Sequence, residues 1–234
     1  MRAIEKLDEG LWVLRLPHRM MGMELGTCST LVRLASGGIA IISPGPFEEG
    51  DFENIEALGK VEALVAPNTF HHLFFLRAAE RYPDAARFFA PGLAEKVGTL
   101  PAGEVLTDEA PALWRGALEQ RRVRGTLTNE VVFFQPRSRT LILTDLAFNI
   151  RSGGFWTRLA MSLNGGFGRF GPTKMGRASI RDAAAFEDSL RAVTAWDFER
   201  IVVAHGEVVA EGGHEIFCRA FGFAPSEARA GASL

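Results

Sequence analysis

Apolar residues along the first half of the chain fall into short β-type blocks. LWVLRL (11–16) follows Gly10, and STLVRLASGGIAIIS (29–43) holds two β-rich runs around a turn with two glycines, a hairpin signal. VEALVA (61–66) is a further short strand, ended by a turn with Pro67 and Asn68. From His71 to Arg81, Leu73, Leu76 and Ala79 recur at helical spacing and stop before Pro83, so the local reading is strand, turn, helix. RFFAP (87–91) repeats this in miniature, leading into a short helix, GLAEKVG. Strands are predicted at 112–118, 130–135 and 139–144, the last two joined by the tight turn QPRS. An amphipathic helix is predicted over Ser179–Thr194, with Ser179 and Asp182 in capping-box spacing. A strand in ERIVVAHG (199–206) and a helix at about 213–221 complete the pattern.

Between Ala147 and Arg181 the composition shifts. This stretch has no acidic residue but holds Arg151, Arg158, Arg169, Lys174, Arg177 and Arg181 among aromatics and glycines. It reads as a basic lid of about 147–181 inserted in a single domain, 1–222, followed by a flexible, small-residue tail, 223–234. Its three readings are a solvated charged face, a lid whose Arg169, Lys174 and Arg177 bind an anionic substrate, and an interfacial or oligomer contact through Phe155, Trp156, Leu159 and Leu163. A homo-oligomer is compatible with the third.

Bulk properties remove several classes. With 47% hydrophobic and 23% charged residues, the 234-residue chain can bury a sizeable core. A formal net charge of −2 gives no global bias toward nucleic acid. Cys28 and Cys218 are widely separated, without CxxC spacing, so no secreted disulfide framework is indicated. No apolar run has transmembrane or signal-peptide length, and a cytoplasmic protein is expected.

Three hydrophobic strands end in potential metal ligands: VEALVA leads to His71 and His72, TLILT to Asp145, and RIVVA to His205. Polar residues at strand ends of α/β sheets gather along one edge, where ligands bind. Imidazole with carboxylate suits Zn²⁺, Fe or Mn²⁺. Each residue taken alone also has an ordinary explanation: a helix-start or loop histidine, a strand-end cap. Glu130, ahead of a strand, is a candidate base, a partner of a ligand, or a strand-edge carboxylate with no role.

The order of these residues resembles that of the metallo-β-lactamase superfamily. The resemblance runs through STLVRLASGGIAIISPGP as an opening hairpin and loop, P-N-T-F-H-H at the position of an H-x-H-x-D-H motif, Asp145 in LILTDLAFN, and His205 in VVAHGE. More narrowly, NTFHHLFF, NEVVFF and SRTLILTDLAFN look like an uncharacterised, degenerate-motif branch of it. The resemblance implies an α/β or α+β fold, a four-layer αββα sandwich with a site at one edge. It also implies the ligand sets. The family's first metal site falls here on Pro67, Thr69 and Thr126, none a usual zinc ligand, and its second on His71, His72, Asp145 and His205, all able to ligate. An Asp in the loop after the opening hairpin is replaced by Ser43.

One divalent metal is therefore expected, Zn first and Fe or Mn as alternatives, in a mononuclear site. Four ligands in a tetrahedron would close it to water, whereas five-coordination, or release of Asp145 as a general base, would keep it catalytic. The expectation is a metal-dependent hydrolase with His71, Asp145 and Glu130 as catalytic candidates. Its substrate is a small anionic ester, thioester, lactone or phosphoester. The alternative is a catalytically inactive fold used for binding or scaffolding, and a one-iron oxidoreductase is a third reading.

Overall fold

The computed structural model describes residues 2–224; most of the predicted tail, 225–234, lies outside the described residues, as does Met1. The chain opens with β1 (Glu5–Asp8) and β2 (Leu11–Leu16), then a small ribbon of β3 (Arg19–Met20) and β4 (Met23–Glu24), then the hairpin β5 (Thr27–Arg33) and β6 (Ile39–Ile42). Parallel strands follow: β7 (Val61–Ala66), β8 (Ala86–Phe89) and β9 (Glu104–Val105), with α1 (Glu49–Leu58), α2 (Phe75–Arg81) and α3 (Leu93–Val97) along the way. These make a seven-stranded sheet in the order β1-β2-β5-β6-β7-β8-β9. A second sheet has the order β10-β11-β12-β13, from β10 (Glu119–Arg122), β11 (Val131–Gln135), β12 (Thr140–Ile142) and β13 (Arg200–Val202), with only the last pair parallel. Between β12 and β13 lie α4 (Phe155–Leu163), α5 (Lys174–Ala178) and α6 (Ala183–Thr194), and α7 (Gly213–Phe221) ends the helical set.

Side-chain alternation builds the layers. In β2, Leu11 and Val13 point to one cluster and Trp12, Leu14 and Leu16 to another; in β11, Val131 and Phe133 divide from Val132 and Phe134 in the same way. The cluster shared by the two sheets holds Val13, Ile42, Phe133, Ile142 and Val202. A second lies between the larger sheet and Phe52, Ile55, Phe75 and Leu93 of α1 to α3, and a third between the smaller sheet and Leu190, Val193 and Phe217 of α6 and α7. Three apolar layers between four structural ones is the predicted αββα sandwich. Strands covered on both faces explain the near-continuous hydrophobic runs.

Several elements depart from the sequence reading. No strand forms over 112–118. Ala112–Trp114 is a single 3-10 turn after Pro111, and Trp114 plugs the space between the sheets, its ring 4.4 Å from that of Phe88 and its Nε1 donating to Gln120 Oε1 at 3.0 Å. The helix expected from His71 starts only at Phe75, because the Asn68 side chain accepts the amides of Phe70 and His71 and shapes a turn there. Asp182 is itself the N-cap of α6, accepting from Ala185 N at 3.0 Å, while Ser179 closes α5. The acid-rich α1 was not anticipated; Phe52 and Ile55 supply its buried face. The segment 147–181 contains two helices, and its Ile150 and Met161 pack with Leu25. Phe223, the first residue of the expected tail, packs on the third cluster.

Candidate metal centre

The carboxyl ends of β6, β7, β12 and β13 lie side by side, because β6 and β7 are parallel neighbours in one sheet and β12 and β13 in the other. Each runs on into a polar residue: Ser43, Asn68, Thr144 with Asp145, and His205 after Val203 and Ala204. Sequence-distant groups are thereby brought to one edge, as is common for ligand sites of α/β sheets.

His71, Asp145 and His205 meet there. One potential ligand atom of each lies within 4.8 Å of the others. Asp145 Oδ1 is 3.4 Å from His71 Nε2 and 3.4 Å from His205 Nε2. The far nitrogen of each ring is already engaged: His71 Nδ1 is 2.6 Å from Ser43 Oγ, and His205 Nδ1 is 2.7 Å from the Gly26 carbonyl. A carbonyl can only accept, so His205 carries its proton on Nδ1 when neutral and turns the Nε2 lone pair toward Asp145. This second bond is the arrangement that holds metal-ligating histidines in one tautomer and orientation. Phe148 stacks on His205 with ring centroids 5.1 Å apart, closing the other side of the imidazole.

Backbone geometry fixes the two flanking positions. Ser43 has a φ of 58°, a left-handed conformation uncommon outside glycine, and its carbonyl accepts from Ser29 Oγ at 2.7 Å. Gly206, directly after His205, has a φ of 111°, and a Cβ there would stand 2.2 Å from the Asn149 carbonyl oxygen. Only glycine lets the chain leave β13 at this point.

Asn68 and Glu130 hold Asp145. The fully buried Asn68 uses Oδ1 for the Phe70 and His71 amides and Nδ2 for Asp145 Oδ2 (2.9 Å) and Thr144 Oγ1 (2.9 Å). Glu130, also fully buried, accepts the amides of Thr144 (2.6 Å), Asp145 (2.8 Å) and Leu146 (2.8 Å), with Asn68 Nδ2 at 3.4 Å. Its oxygens are thus committed to the backbone that carries Asp145. Burial and the Asp145 charge push Glu130 up to about 7, against the pull of the Thr144 and Asp145 amides. Burial also opposes the ionised form of Asp145, yet the two imidazoles outweigh it and hold this carboxyl well below the usual carboxylate range. Burial disfavours protonated His205, but its bond to Asp145 prevails and raises it.

His72 does not join this group. Its Nδ1 is buried without a hydrogen-bond partner among the described residues, and burial followed by the charge of Lys96 lowers its pKa. Lys96 donates to the Thr69 carbonyl at 2.7 Å and lies 3.5 Å over the Phe70 ring. Thr69, Thr126 and Thr128 form a neighbouring corner of hydroxyls and carbonyls: Thr69 N reaches Thr128 O at 3.0 Å, and the hydroxyls of Thr126 and Thr128 are 3.0 Å apart. Pro67 adds a carbonyl that accepts from Val131. No imidazole or carboxylate stands at Pro67, Thr69 or Thr126.

A small cleft of about 30 Å³ opens beside Asp145, lined by Thr126, Thr128, Ser179, Arg177 and apolar residues including Phe186. Of the three cations expected to bind substrate, Arg177 lines this cleft. Arg169 and Lys174 do not; they sit around Gly165 at the end of α4. Asn68 was visible in the sequence only as a turn residue, and its several bonds come from packing. His18 lies near the centre: its carbonyl accepts at 3.1 Å from the amide of Gly26, whose own carbonyl holds His205, and burial, then His205 and His71, lower its pKa. The rings of His214 and Phe198 pack 5.1 Å apart, away from this edge.

No family model matches the chain, and no curated protein is similar to it in sequence. Solved structures do resemble it. A metallo-β-lactamase from Pontibacter korlensis superposes with a TM-score of 0.65 at 13% identity, over 92% of this chain and 97% of that one. The metallo-β-lactamase FIM-1 from Pseudomonas aeruginosa, in its mono-zinc form, gives 0.65 at 14%, over 97% and 96%. The metal-soaked Flv1 flavodiiron core from Synechocystis gives 0.61 at 13%, over 94% of this chain and 60% of that one. The chain has the metallo-β-lactamase fold.

Proposed function

We propose that this chain is a metal-dependent hydrolase with a one-ion centre held by His71, Asp145 and His205. The observation that carries the reading is the convergence of two imidazole Nε2 atoms on one carboxylate oxygen while both Nδ1 atoms are engaged elsewhere. That donor set suits Zn²⁺ first, with Fe and Mn²⁺ as alternatives. Three protein ligands leave a position for water, the pattern of catalytic rather than structural zinc, and the separation of His72 from the group supports it. A divalent ion in such a site lowers the pKa of water toward ~7 and polarises a carbonyl or phosphoryl oxygen.

The chain's own residues supply the rest. Asn68 and Glu130 fix the Asp145 backbone and side chain, so we read Glu130 as a positioning residue rather than a base. Arg177, on the wall of the cleft shared with Asp145, is the cation assigned to the substrate's acid group. The hydroxyls of Thr126, Thr128 and Ser179 line the same cleft, which has room for about one water molecule. The substrate class is a small anionic ester, thioester, lactone or phosphoester.

An inactive, scaffold-type protein has one observation in its favour: Asp145 Oδ1 lies 3.4 Å from both His71 Nε2 and His205 Nε2, close enough for a carboxylate–imidazolium pair that needs no ion. Metal titration separates the two. Protein purified without added zinc is expected to hold or take up one ion per chain, and His205→Ala and Asp145→Asn to take up none. Less than about 0.2 ion per chain, with no uptake, would sink the hydrolase reading. Hydrolysis across the four substrate classes, lost on chelation and restored by metal, identifies the reaction. The likeness to a flavodiiron core keeps an iron oxidoreductase as the other metal-dependent reading, which colour and element analysis expose.

A further inference from the structure

α4 has two apolar faces, and only one is used by the fold. Thr157 and Met161 are buried, Met161 against Ile150 and Leu25. Phe155, Trp156, Leu159 and Leu163 are 71%, 69%, 41% and 68% exposed. At about 100° of helix per residue these four fall within an arc of roughly 100°, opposite the buried pair. The stripe continues past the helix end: Met175, 72% exposed, donates its amide to Asn164 Oδ1, directly after Leu163.

The charges of the segment that carries this stripe all have one sign. From Ala147 to Arg181 the chain carries six cations and no acid. Arg151 and Arg158 are exposed at the start and on the flank of α4, and Arg169 and Lys174 are exposed around Gly165 at its end. The nearby acid Glu24 is paired with Arg19.

We infer that α4 and its flanking cations are a docking surface for an anionic lipid bilayer. An exposed arc of Phe, Trp and Leu rimmed by Arg and Lys is the composition of a helix that lies in the interface with its apolar face in the acyl boundary. No helix among the described residues is long and apolar enough to cross a membrane, and α4, at nine residues, can only lie along the surface. A two-fold contact with a second copy is disfavoured, because an isologous interface would set this acid-free segment against itself. The opposite, buried face of α4 adjoins the candidate site: Phe148, stacked on His205, packs with Ile150 and Met161 beneath the helix.

Trp156 makes the test direct. Trp12, Trp114 and Trp196 are buried, so Trp156 is the exposed reporter of the four tryptophans. Full-length protein is mixed with vesicles of phosphatidylcholine alone, or of phosphatidylcholine with phosphatidylglycerol. Sedimentation with the anionic vesicles, a blue shift of tryptophan emission, and weakening by salt are expected. Phe155→Ser with Leu163→Ser should abolish sedimentation while circular dichroism and the melting temperature stay unchanged. Arg151→Ser and Arg158→Ser should each weaken binding about fivefold, the effect of one basic residue near an anionic surface. Absence of sedimentation, equal binding to neutral vesicles, or no effect of the Phe155/Leu163 change overturns the inference. So does a dimer in solution that dissociates in the Phe155/Leu163 variant and already shows blue-shifted emission without vesicles; that result assigns the face to a second copy.

Discussion

Asn68 stands between two corners built from neighbouring residues of one turn. On one side are Thr69, Thr126 and Thr128, with Lys96 and His72 close by, and the groups there are hydroxyls, carbonyls and a cation. On the other, one residue further along from Phe70, His71 turns its ring to Asp145 and His205. The backbone treats both sides alike, with Thr69 and His71 each held by amide hydrogen bonds at the end of β7. Side-chain chemistry alone separates them. A strand edge is therefore a place where a metal centre can be built, and the residues at it decide whether one is. His71 and His72 make the same point within two residues: one ring has partners on both nitrogens, while the other buries Nδ1 without a partner among the described residues.

The strongest way to break the His/Asp corner is through Glu130. Its replacement by Ala leaves the amides of Thr144, Asp145 and Leu146 without their acceptor in a fully buried setting. Each such orphaned group costs about 1–3 kcal/mol, so Glu130→Ala should lower unfolding free energy by at least about 3 kcal/mol. Urea denaturation measures it. A loss below about 1 kcal/mol, the range of ordinary surface changes, would mean that the 144–146 backbone finds other partners.

A smaller effect is expected at Asn68, where the two corners meet. Asn68→Ala removes the bond to Asp145 Oδ2 and the acceptor of the His71 amide together. Outer partners of metal ligands typically contribute 10–100-fold to affinity, and a loss in that range is expected in competition titrations with a chelating dye. Asn68→Asp retains the acceptor while setting a second carboxylate against Asp145, so it should not restore the affinity. Equal affinity in wild type and Asn68→Ala would show that Asp145 needs no such support.

Much of this was legible in the sequence. The apolar blocks of β2, β5, β6, β7 and β11 announce strands because both faces are covered, and the strand-end positions of His71, Asp145 and His205 announce a shared edge. Trp114 was misread because a buried aromatic run looks like a strand whether it lies in a sheet or between two sheets. The anchoring of Asp145 was invisible for another reason. Asn68 and Glu130 are 62 residues apart, and nothing local tells a buried Glu that takes three amides from a strand-edge carboxylate. The division of Arg169, Lys174 and Arg177 between α4's end and the cleft was hidden likewise, since it depends on how α4 and α5 turn about Gly165.

The least effect is expected at His72, and that makes it the sharpest comparison. His71→Ala removes one of three converging donors, and its metal affinity should fall more than about 100-fold, beyond the range of an outer partner. His72→Ala removes an imidazole that lies outside the cluster, so affinity should stay within about twofold, as for distant, independent sites. The two substitutions are chemically identical and adjacent, so differences in unfolded state or expression largely cancel between them. A His72→Ala loss as large as that of His71→Ala would place His72 in the coordination sphere. The centre would then have four protein ligands, and a tetrahedral ion there would be closed to water.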